Sequence, residues 1–407
     1  MARVLAYTSP ARGHLYPLTP ILVELMGRGH DVALRTLSSQ VPIMREQGFE
    51  AAPISPRIEE IKHDDWKASS ARESLARSVG TFLARSEHDA ADLRHAIDET
   101  RPEVLVVDIN TWGAMAVAEA WGGPWATFCP FPLPLSSRDA PPFGPGFAPA
   151  RGPLGRLRDR IARPLVLGTV ERTMIPKINE VRQRLDLEPL RNADGLFTRT
   201  PLLLYLTAEP FEYPRSDWPD NIVMVGPCDW DPPANPPDWL GEIDRPIVLV
   251  TTSSEFQADE RLAQAALDGL ANENVYVVAT LPSGDRGSLR IPSNARVEQF
   301  VSHGLVLDRA ACAVTHGGMG ATQKALARGV PVCAVPFGRD QLEVARRVEV
   351  AEAGSRLPAK QLTPERLRAK VREAMDRTDG ARRISSAFAA AGGAEAAASA
   401  IEERLVS

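Results

Sequence analysis

The chain of 407 residues has little cysteine, little lysine and no long apolar run. Its four cysteines form neither a C-x-x-C pair nor a Cys/His spacing typical of metal sites, which predicts reduced thiols in a cytoplasm. No uninterrupted apolar stretch approaches the ~18 residues of a membrane span, and no signal-peptide core follows Met1. The net charge of −5 gives no reason to expect a nucleic-acid partner. These absences favour a cytoplasmic globular enzyme.

The basic residues are mostly arginine: only six of the 47 are lysine. Together with the abundant alanine, this composition hints at a GC-rich bacterial genome.

A proline-dense stretch divides the chain. Residues 227–246 (PCDWDPPANPPDWLGEIDRP) lack helical or strand periodicity and are interpreted as a linker. Short apolar strands alternate with helical patterns on both sides of it, and 407 residues exceed one compact core. The sequence therefore predicts an α/β protein of two doubly wound domains, residues 1–226 and 247–380. An alanine-rich helical tail over about residues 381–407 would follow.

A glycine-rich turn stands out in the second domain. His316, Gly317, Gly318, Met319 and Gly320 follow a predicted strand and open a predicted helix. Glycines let the backbone approach a ligand closely, and the N–H groups of the first helical turn face an anion. His316 can donate a further hydrogen bond to a phosphate oxygen. Taken alone, the pattern is also compatible with an ordinary tight turn.

A second polar pair follows the next predicted strand. Asp340 and Gln341 stand at its carboxyl end, where an acid and an amide side by side can hydrogen-bond adjacent sugar hydroxyls. The two clusters together favour a site for a phosphate-linked sugar.

The segments HGGMG, GVP and PFGRDQ, in this order and spacing, resemble the donor-sugar signature of the large inverting family of nucleotide-sugar glycosyltransferases. That family includes plant secondary-metabolite and bacterial antibiotic glycosyltransferases. The resemblance implies the GT-B architecture, two Rossmann-like domains facing across a cleft, with the acceptor on the first and the nucleotide sugar on the second. It also implies that the C-terminal tail packs back on the first domain, and that neither a cofactor nor a metal is needed.

His14 and Asp108 are the predicted catalytic residues. A turn-rich loop is predicted from Ser9 to Pro17, and within it RGHLYP resembles the family's G-H-x-x-P motif, whose histidine is the general base. Asp108 ends a strand where the family carries the aspartate that orients this histidine. On spacing alone, a loop histidine that caps the following helix is the better interpretation of His14. Asp108 can likewise be a helix cap, since Asp108, Asn110 and Thr111 all precede a helix.

Further donor contacts are expected by resemblance. Relatives bind the diphosphate with a Ser/Thr-Gly-Thr turn, and here the candidates are Thr252, Ser253 and Ser254, with no glycine among them. Val301 and His303 lie in a segment that resembles the family's base-pairing segment and are the nucleobase candidates.

Lys324 departs from the family pattern. Many enzymes that use UDP-sugars carry a glutamate here, which holds the ribose hydroxyls, whereas lysine accepts no hydrogen bond. The enzyme therefore takes a dTDP-sugar or holds the ribose otherwise; alternatively, Lys324 points to solvent or pairs with a phosphate.

The acceptor side is predicted from aromatic residues near strand ends. Tyr16, Trp112, Phe131 and Phe143 are the acceptor candidates, the last two within a proline- and glycine-rich run over residues 130–153 that is either an acceptor loop or a stiff surface loop. Residues 151–163 are basic with regularly spaced apolar residues, a pattern compatible with a membrane-surface helix or, more simply, with a solvated helix face.

The predicted function is inverting, metal-independent O-glycosyl transfer to a small apolar natural product, with a dTDP-deoxysugar favoured over a UDP-sugar. The expected partners are the nucleotide-sugar donor and the small aglycone, and the protein is expected to be a monomer or homodimer. One rival is a catalytically weak helper of the same fold. The other, a nicotinamide-linked oxidoreductase, lacks a G-x-G-x-x-G after the first strand.

Overall fold

The computed structural model describes residues 1–68, 71–253, 260–283 and 285–406, with the backbone alone at residues 71, 72, 169 and 170. Residues 3–224 contribute seven parallel strands to a first sheet. These strands are β1 (Arg3–Tyr7), β2 (Asp31–Thr36), β3 (Glu50–Pro53), β4 (Val104–Asp108), β5 (Trp125–Cys129), β6 (Leu202–Tyr205) and β7 (Ile222–Met224). Their order in the sheet is β3-β2-β1-β4-β5-β6-β7, so the winding reverses between β1 and β4.

A second parallel sheet repeats this winding with six strands. They are β8 (Ile247–Thr251), β9 (Tyr276–Thr280), β10 (Ala295–Glu298), β11 (Ala310–Thr315), β12 (Val332–Ala334) and β13 (Gly354–Arg356). The order β10-β9-β8-β11-β12-β13 reverses between β8 and β11. The predicted α/β class with two doubly wound sheets is therefore confirmed.

Helices cover both faces of each sheet, which is why the strands are nearly continuous apolar runs. In the first unit they are α1 (Arg12–Gly27), α2 (Val41–Glu46), α3 (Pro56–Glu60), α4 (Ala71–Thr100), α5 (Trp112–Trp121), α6 (Pro153–Gln183) and α7 (Gly195–Thr198). The remainder are α8 (Asp238–Gly241), α9 (Glu260–Leu270), α10 (His303–Leu307), α11 (Met319–Ala327), α12 (Gln341–Val350), α13 (Pro364–Met375), α14 (Thr378–Ala390) and α15 (Gly393–Leu405). No helix in the described part of the chain is both long and apolar enough to cross a membrane.

Helix α1 begins earlier than the sequence predicted. The predicted loop from Ser9 to Pro17 ends at Ala11, because the N–H groups of His14 and Leu15 both donate to the Ala11 carbonyl, at 3.0 and 3.1 Å. His14 therefore lies on the first turn of a helix, which fixes its position more firmly than a loop would.

The C-terminal segment forms two helices instead of one tail. Gly392 and Gly393 adopt left-handed φ angles of +86° and +57°, a conformation that ends α14 and redirects the chain. Helix α14 packs on α11, whereas α15 packs on α1, where Ile401 is fully buried in the core of the first sheet. The last helix thus ties the end of the chain to the first unit.

A buried ion pair joins the two units away from solvent. Arg347 of α12 donates to Glu212, which follows β6, at 2.8 Å between Nη2 and Oε1, and both side chains are nearly inaccessible. The Arg347 guanidinium beside Glu212 holds the pKa of this carboxyl below its ordinary value, although burial alone would raise it.

Candidate functional site

A cavity of about 1700 Å³ lies between the carboxyl ends of the two sheets. Its walls come from both units, and most of the residues predicted from the sequence line it. Those are His14, Tyr16, Trp112, Phe131, Phe143, Thr252, Ser253, Val301, His303, His316, Gly318, Met319, Gly320 and Asp340. Ser254 lies outside the described residues.

His14 and Asp108 meet at the reversal point of the first sheet. The imidazole Nδ1 lies 2.9 Å from Asp108 Oδ1, across 94 residues of sequence. Parallel strands β1 and β4 are adjacent, so the first turn of α1 and the end of β4 lie side by side. The carboxylate is fully buried, whereas the histidine ring reaches the cavity wall.

Asn110 selects the tautomer of His14. Its side-chain Nδ2 lies 3.2 Å from His14 Nε2. An amide nitrogen only donates, so Nε2 accepts and Nδ1 carries the proton that it donates to Asp108. The sequence had assigned Asn110 only to helix capping; the signal for more was its position two residues after Asp108.

The environment of Asp108 keeps it ionised. Burial alone would raise the pKa of its carboxyl, but the neighbouring His14 and hydrogen bonds from His14, Asn110 and Ser9 hold that pKa below the ordinary value. The backbone N–H groups of Ser9 and Asn110 donate to its two oxygens, each at 2.9 Å. A buried anion is therefore available to orient the imidazole and to stabilise it when it is protonated.

Asp340 faces this pair from the second unit. It precedes α12 without a side-chain capping hydrogen bond. Burial raises the pKa of its carboxyl, while Arg339 and the His14 imidazole act in the opposite direction. Asp340 and His14 both line the cavity, one from each unit.

Gln341 is placed differently from its predicted neighbour. Its side-chain oxygen accepts hydrogen bonds from the N–H groups of Phe337 and Gly338, at 2.7 and 3.0 Å, and the residue is only 2% exposed. In this geometry Gln341 holds the turn that positions Asp340 and does not line the cavity.

Arg339 bridges the two units beside Asp340. Its guanidinium donates to both oxygens of Asp65, at 2.8 and 2.7 Å, across 274 residues of sequence. The Arg339 backbone has a left-handed φ of +51°, which turns its side chain toward the first unit. No local sequence signal predicts this pair, because each partner alone looks like an ordinary loop charge.

The glycine-rich turn lies where the second sheet reverses. Gly317 adopts a φ of +86°, and Gly318 caps α11 with extended backbone. A Cβ built on Gly318 would come within 2.5 Å of Nε2 of His316, so glycine lets the imidazole lie directly over the start of the helix. The first-turn N–H groups of α11 and the His316 ring thus point toward the same part of the cavity.

The turn after β8 contributes less directly to the cavity than the glycine-rich turn does. The Thr252 hydroxyl donates to the carbonyl of Thr280 at 3.1 Å, which directs it toward the neighbouring strand. Ser253 lines the cavity but is only 1% exposed, and its carbonyl accepts from Ser283 at 3.2 Å.

The predicted nucleobase segment begins α10. Val301 is buried at the cavity wall, and Nε2 of His303 lies 3.0 Å from the Thr280 hydroxyl. Burial, followed by the charge of Lys324, lowers the pKa of His303 to about 4, so its imidazole is neutral at physiological pH.

Lys324 lines the cavity, but its ammonium group is held by two carboxylates and does not point to solvent. Its ammonium contacts Asp229 at 2.8 Å and Asp231 at 2.6 Å, and it donates to the Trp230 carbonyl at 3.0 Å. Arg328 pairs with the same Asp229. The segment predicted to be only a linker therefore contributes part of the cavity wall, and its carboxylates are already matched by cations.

Aromatic side chains surround the first unit's part of the cavity. Phe131 packs against the His14 ring, with centroids 5.7 Å apart, and Tyr16 packs edge-on against Trp230 at 5.0 Å. Trp112 lies 5.3 Å from Phe82, an aromatic lining residue that the sequence analysis did not single out. The wall that faces His14 is therefore largely apolar.

Glu343 attaches the proline- and glycine-rich run to α12. Its Oε1 accepts from the N–H groups of Gly144 and Gly146, each at 2.8 Å. Phe143 beside them lines the cavity. Of the two interpretations left open by the sequence, the geometry favours a loop that forms the cavity wall.

A metal site is not evident in the part of the chain that the structure describes, where no group of three or more His, Cys, Asp or Glu residues could hold an ion. The four cysteines are buried and unpaired.

Comparisons with known proteins show which proteins this chain resembles. The family described as "Erythromycin biosynthesis protein CIII-like, C-terminal domain" matches residues 264–406. The chain is 34% identical over 393 residues to 4'-demethylrebeccamycin synthase of Lentzea aerocolonigenes, covering 92% of each protein. The solved glycosyltransferase of kitacinnamycin has 23% identity, a TM-score of 0.72 and 99% coverage of both chains. The glycosyltransferase VinC, solved in complex with DTDP, has 21% identity, a TM-score of 0.70 and the same coverage. The two structures confirm the expected GT-B fold.

Proposed function

We propose that this chain, which belongs to the GT-B family of nucleotide-sugar-dependent glycosyltransferases, transfers a sugar to a hydroxyl group. In this proposal the transfer inverts the anomeric centre of the sugar. The observation that carries this proposal is the hydrogen-bonded pair of His14 and Asp108, which shares one cavity with Asp340 and the glycine-rich start of α11. A base and an anion site on facing walls are what displacement at an anomeric carbon requires.

In this proposal His14 is the general base. Its Nε2 accepts the proton of the acceptor hydroxyl as the oxygen attacks the anomeric carbon, and the bond from that carbon to the diphosphate breaks. Asp108 stabilises the imidazolium that forms and keeps Nδ1 protonated beforehand. Asn110 must release Nε2 when the acceptor hydroxyl arrives, because both use the same lone pair.

The departing diphosphate is held by the second unit. The N–H groups at the start of α11, the positive end of its dipole and the His316 ring carry its charge, so we propose that no metal is required. Ser253 and Thr252 border this position, and Thr252 can contribute only if its hydroxyl turns away from Thr280. Asp340 accepts hydrogen bonds from the sugar hydroxyls.

We propose a TDP-sugar, with a deoxysugar favoured, as the donor. A ribose 2′-hydroxyl needs an acceptor, and Lys324 offers none. The nearby carboxylates of Asp229 and Asp231 are engaged by Lys324, Arg328, Ser302 and the Gly304 N–H. The deoxyribose of TDP lacks this hydroxyl and leaves no acceptor role unfilled. The DTDP bound by VinC makes this nucleotide the natural one to test.

We propose a small apolar natural product as the acceptor, since aromatic side chains surround the base. Residues 1–226 would bind it and residues 247–380 the donor, with 227–246 as a linker that also supports the donor wall. The four buried, unpaired cysteines support a reducing cytoplasm as the site of the reaction.

The transfer can be tested in reverse, without knowing the acceptor. An aryl β-glycoside that releases a coloured phenol is incubated with the enzyme and either TDP or UDP. We expect phenol release with TDP, slower release with UDP and none from the aryl α-glycoside, because inversion converts a β-glycoside into an α-linked nucleotide sugar. Release from the α-glycoside would contradict inversion, and faster release with UDP would contradict the TDP proposal.

A thermal-shift series distinguishes the enzyme from a helper protein. A nucleotide at ~100 times its dissociation constant stabilises the fold by about 2.7 kcal/mol, which shifts the melting temperature measurably. Stabilisation by TDP without any turnover of glycosides or of natural acceptors would favour a helper. If neither TDP nor UDP stabilises the protein, the donor site is wrong.

A further inference from the structure

Helix α6 presents an apolar stripe to solvent. Leu154, Leu157, Ile161 and Leu165 are 82, 52, 56 and 72% exposed. Their spacing of three or four residues places them within an arc of about 80° along about 16 Å of helix. Single exposed apolar residues are common, but four aligned on one helix form a continuous strip that favours contact with another apolar phase.

Arginines flank this stripe. Arg151, Arg156 and Arg160 are exposed, and the only acidic residue from Pro153 to Leu165 is Asp159, which is buried against Arg158 at 2.7 Å. The outward face is therefore positive, although the whole chain carries a net charge of −5. A narrow apolar strip bordered by arginines is typical of helices that lie in the plane of an anionic lipid surface.

The stripe continues into the cavity. Leu165, Val166 and Leu167 line the cavity wall on the same helix whose earlier turns carry the exposed residues. The exposed stripe and part of the cavity wall are therefore adjacent on one helix.

We propose that the stripe formed by Leu154, Leu157, Ile161 and Leu165 docks this protein on an anionic lipid bilayer surface. The apolar side chains enter the boundary between headgroups and acyl chains, and the flanking arginines pair with the anionic headgroups. The helix then holds the mouth of the cavity next to the phase in which apolar acceptors concentrate. Docking needs neither donor nor acceptor, so it stands or fails separately from the proposed sugar transfer.

Flotation of the full chain with lipid vesicles tests this proposal. The vesicles contain phosphatidylcholine alone or phosphatidylcholine with phosphatidylglycerol. We expect the wild type to float with the anionic vesicles and to bind the neutral ones at least tenfold more weakly. A variant with Leu154→Gln, Leu157→Gln and Ile161→Gln should lose at least tenfold in binding. The control, Val23→Gln with Ile291→Gln and Val350→Gln, replaces three exposed apolar residues elsewhere, which are 43, 41 and 36% exposed, and should bind like the wild type.

A charge variant and a mass measurement complete the test. Arg156→Gln with Arg160→Gln should abolish the preference for phosphatidylglycerol, and added salt should weaken wild-type binding. Absence of wild-type binding, or equal binding by the stripe and control variants, would overturn the proposal. It would equally be overturned if light scattering gave a wild-type dimer and a monomeric stripe variant, because a second copy would then cover the stripe.

Discussion

The reversal points of the two sheets occupy equivalent positions in the same topology but carry opposite chemistry. At the first, between β1 and β4, a fully buried carboxylate orients an imidazole. At the second, between β8 and β11, glycines, a helix start and His316 form a cradle suited to an anion. The winding provides two crevices that face each other, and in the proposed mechanism the first residues after each strand determine that one crevice accepts a proton and the other binds a phosphate.

Removing the base should produce the largest effect. We expect His14→Ala to lower kcat on the order of 10³-fold, because Nε2 of His14 is the proton acceptor in the proposed mechanism. Turnover at saturating donor measures this loss. His95→Ala, at a histidine that is 79% exposed, is the matched control and should retain wild-type turnover. Activity above a tenth of the wild type in His14→Ala would show that another residue is the base.

Removing the charge of the orienting residue should have a smaller effect. We expect Asp108→Asn to lower kcat on the order of 10²-fold, since the histidine remains but its tautomer and its protonated form lose support. The measurement compares the kcat of this variant with that of Asp98→Asn. The control changes an exposed acid on α4 and should leave kcat unchanged. An equal loss of kcat in both variants would contradict a specific role for the buried carboxylate.

At the second reversal point, breaking an ion pair should affect the free energy of unfolding more than it affects turnover. We expect Lys324→Gln to lower the free energy of unfolding by about 2 kcal/mol, because Asp229 and Asp231 lose the ammonium between them. Denaturant melts measure the change. Lys370→Gln breaks a half-exposed pair with Glu373 and should cost less than about 1 kcal/mol. Equal losses would mean that the Lys324 cluster is no stronger than a surface pair.

Crowding the glycine-rich turn should weaken nucleotide binding. We expect Gly318→Ala to raise the TDP dissociation constant about tenfold, or about 1.4 kcal/mol, because the new methyl group displaces the His316 ring from the helix start. Calorimetry measures the constant. Gly27→Ala, where a Cβ meets no atom within 4 Å, is the control. An unchanged constant in Gly318→Ala would contradict a role for the His316 position.

The smallest expected effect depends on pH. The pKa of His303 in the folded protein is about 4, below its ordinary value, so the unfolded chain takes up the proton first as the pH falls. The buried neutral imidazole contributes its full stabilisation above about pH 6.5. This contribution is lost as the pH falls from about 6.5 to about 4. We expect His303→Gln to remove somewhat under about 1 kcal/mol of the decline between pH 7 and pH 6. His95→Gln should leave the decline intact, and an unchanged slope in His303→Gln would show that His303 titrates normally.

Local patterns predicted much of this molecule. Apolar runs and glycine punctuation indicated most strands and helices, and the turn at His316 and the end of the strand at Asp108 were evident from the residues themselves. The strands β5 and β13 were not predicted, because β5 lies between two prolines and β13 (Gly-Ser-Arg) contains no apolar residue.

Contacts between residues far apart in the chain could not be predicted from the sequence. Asp65 and Arg339 are 274 residues apart, and Glu343 reaches Gly144 across 199 residues, so neither partner signals the other. Lys324 was recognised as a departure from the family pattern. Its aspartate partners were not predicted, because they lie in a segment that was interpreted as a linker. The use of the Gln341 oxygen within its own turn likewise depends on side-chain direction, which periodicity does not encode.

The TDP dissociation constant of His14→Ala, measured by calorimetry beside that of the wild type, tests the division of roles between the two reversal points most directly. If the first point handles only the proton, the variant that has lost turnover should bind TDP within about threefold of the wild type, a change under about 1 kcal/mol. A constant weakened more than tenfold would contradict that division, because His14 would then be part of the nucleotide site.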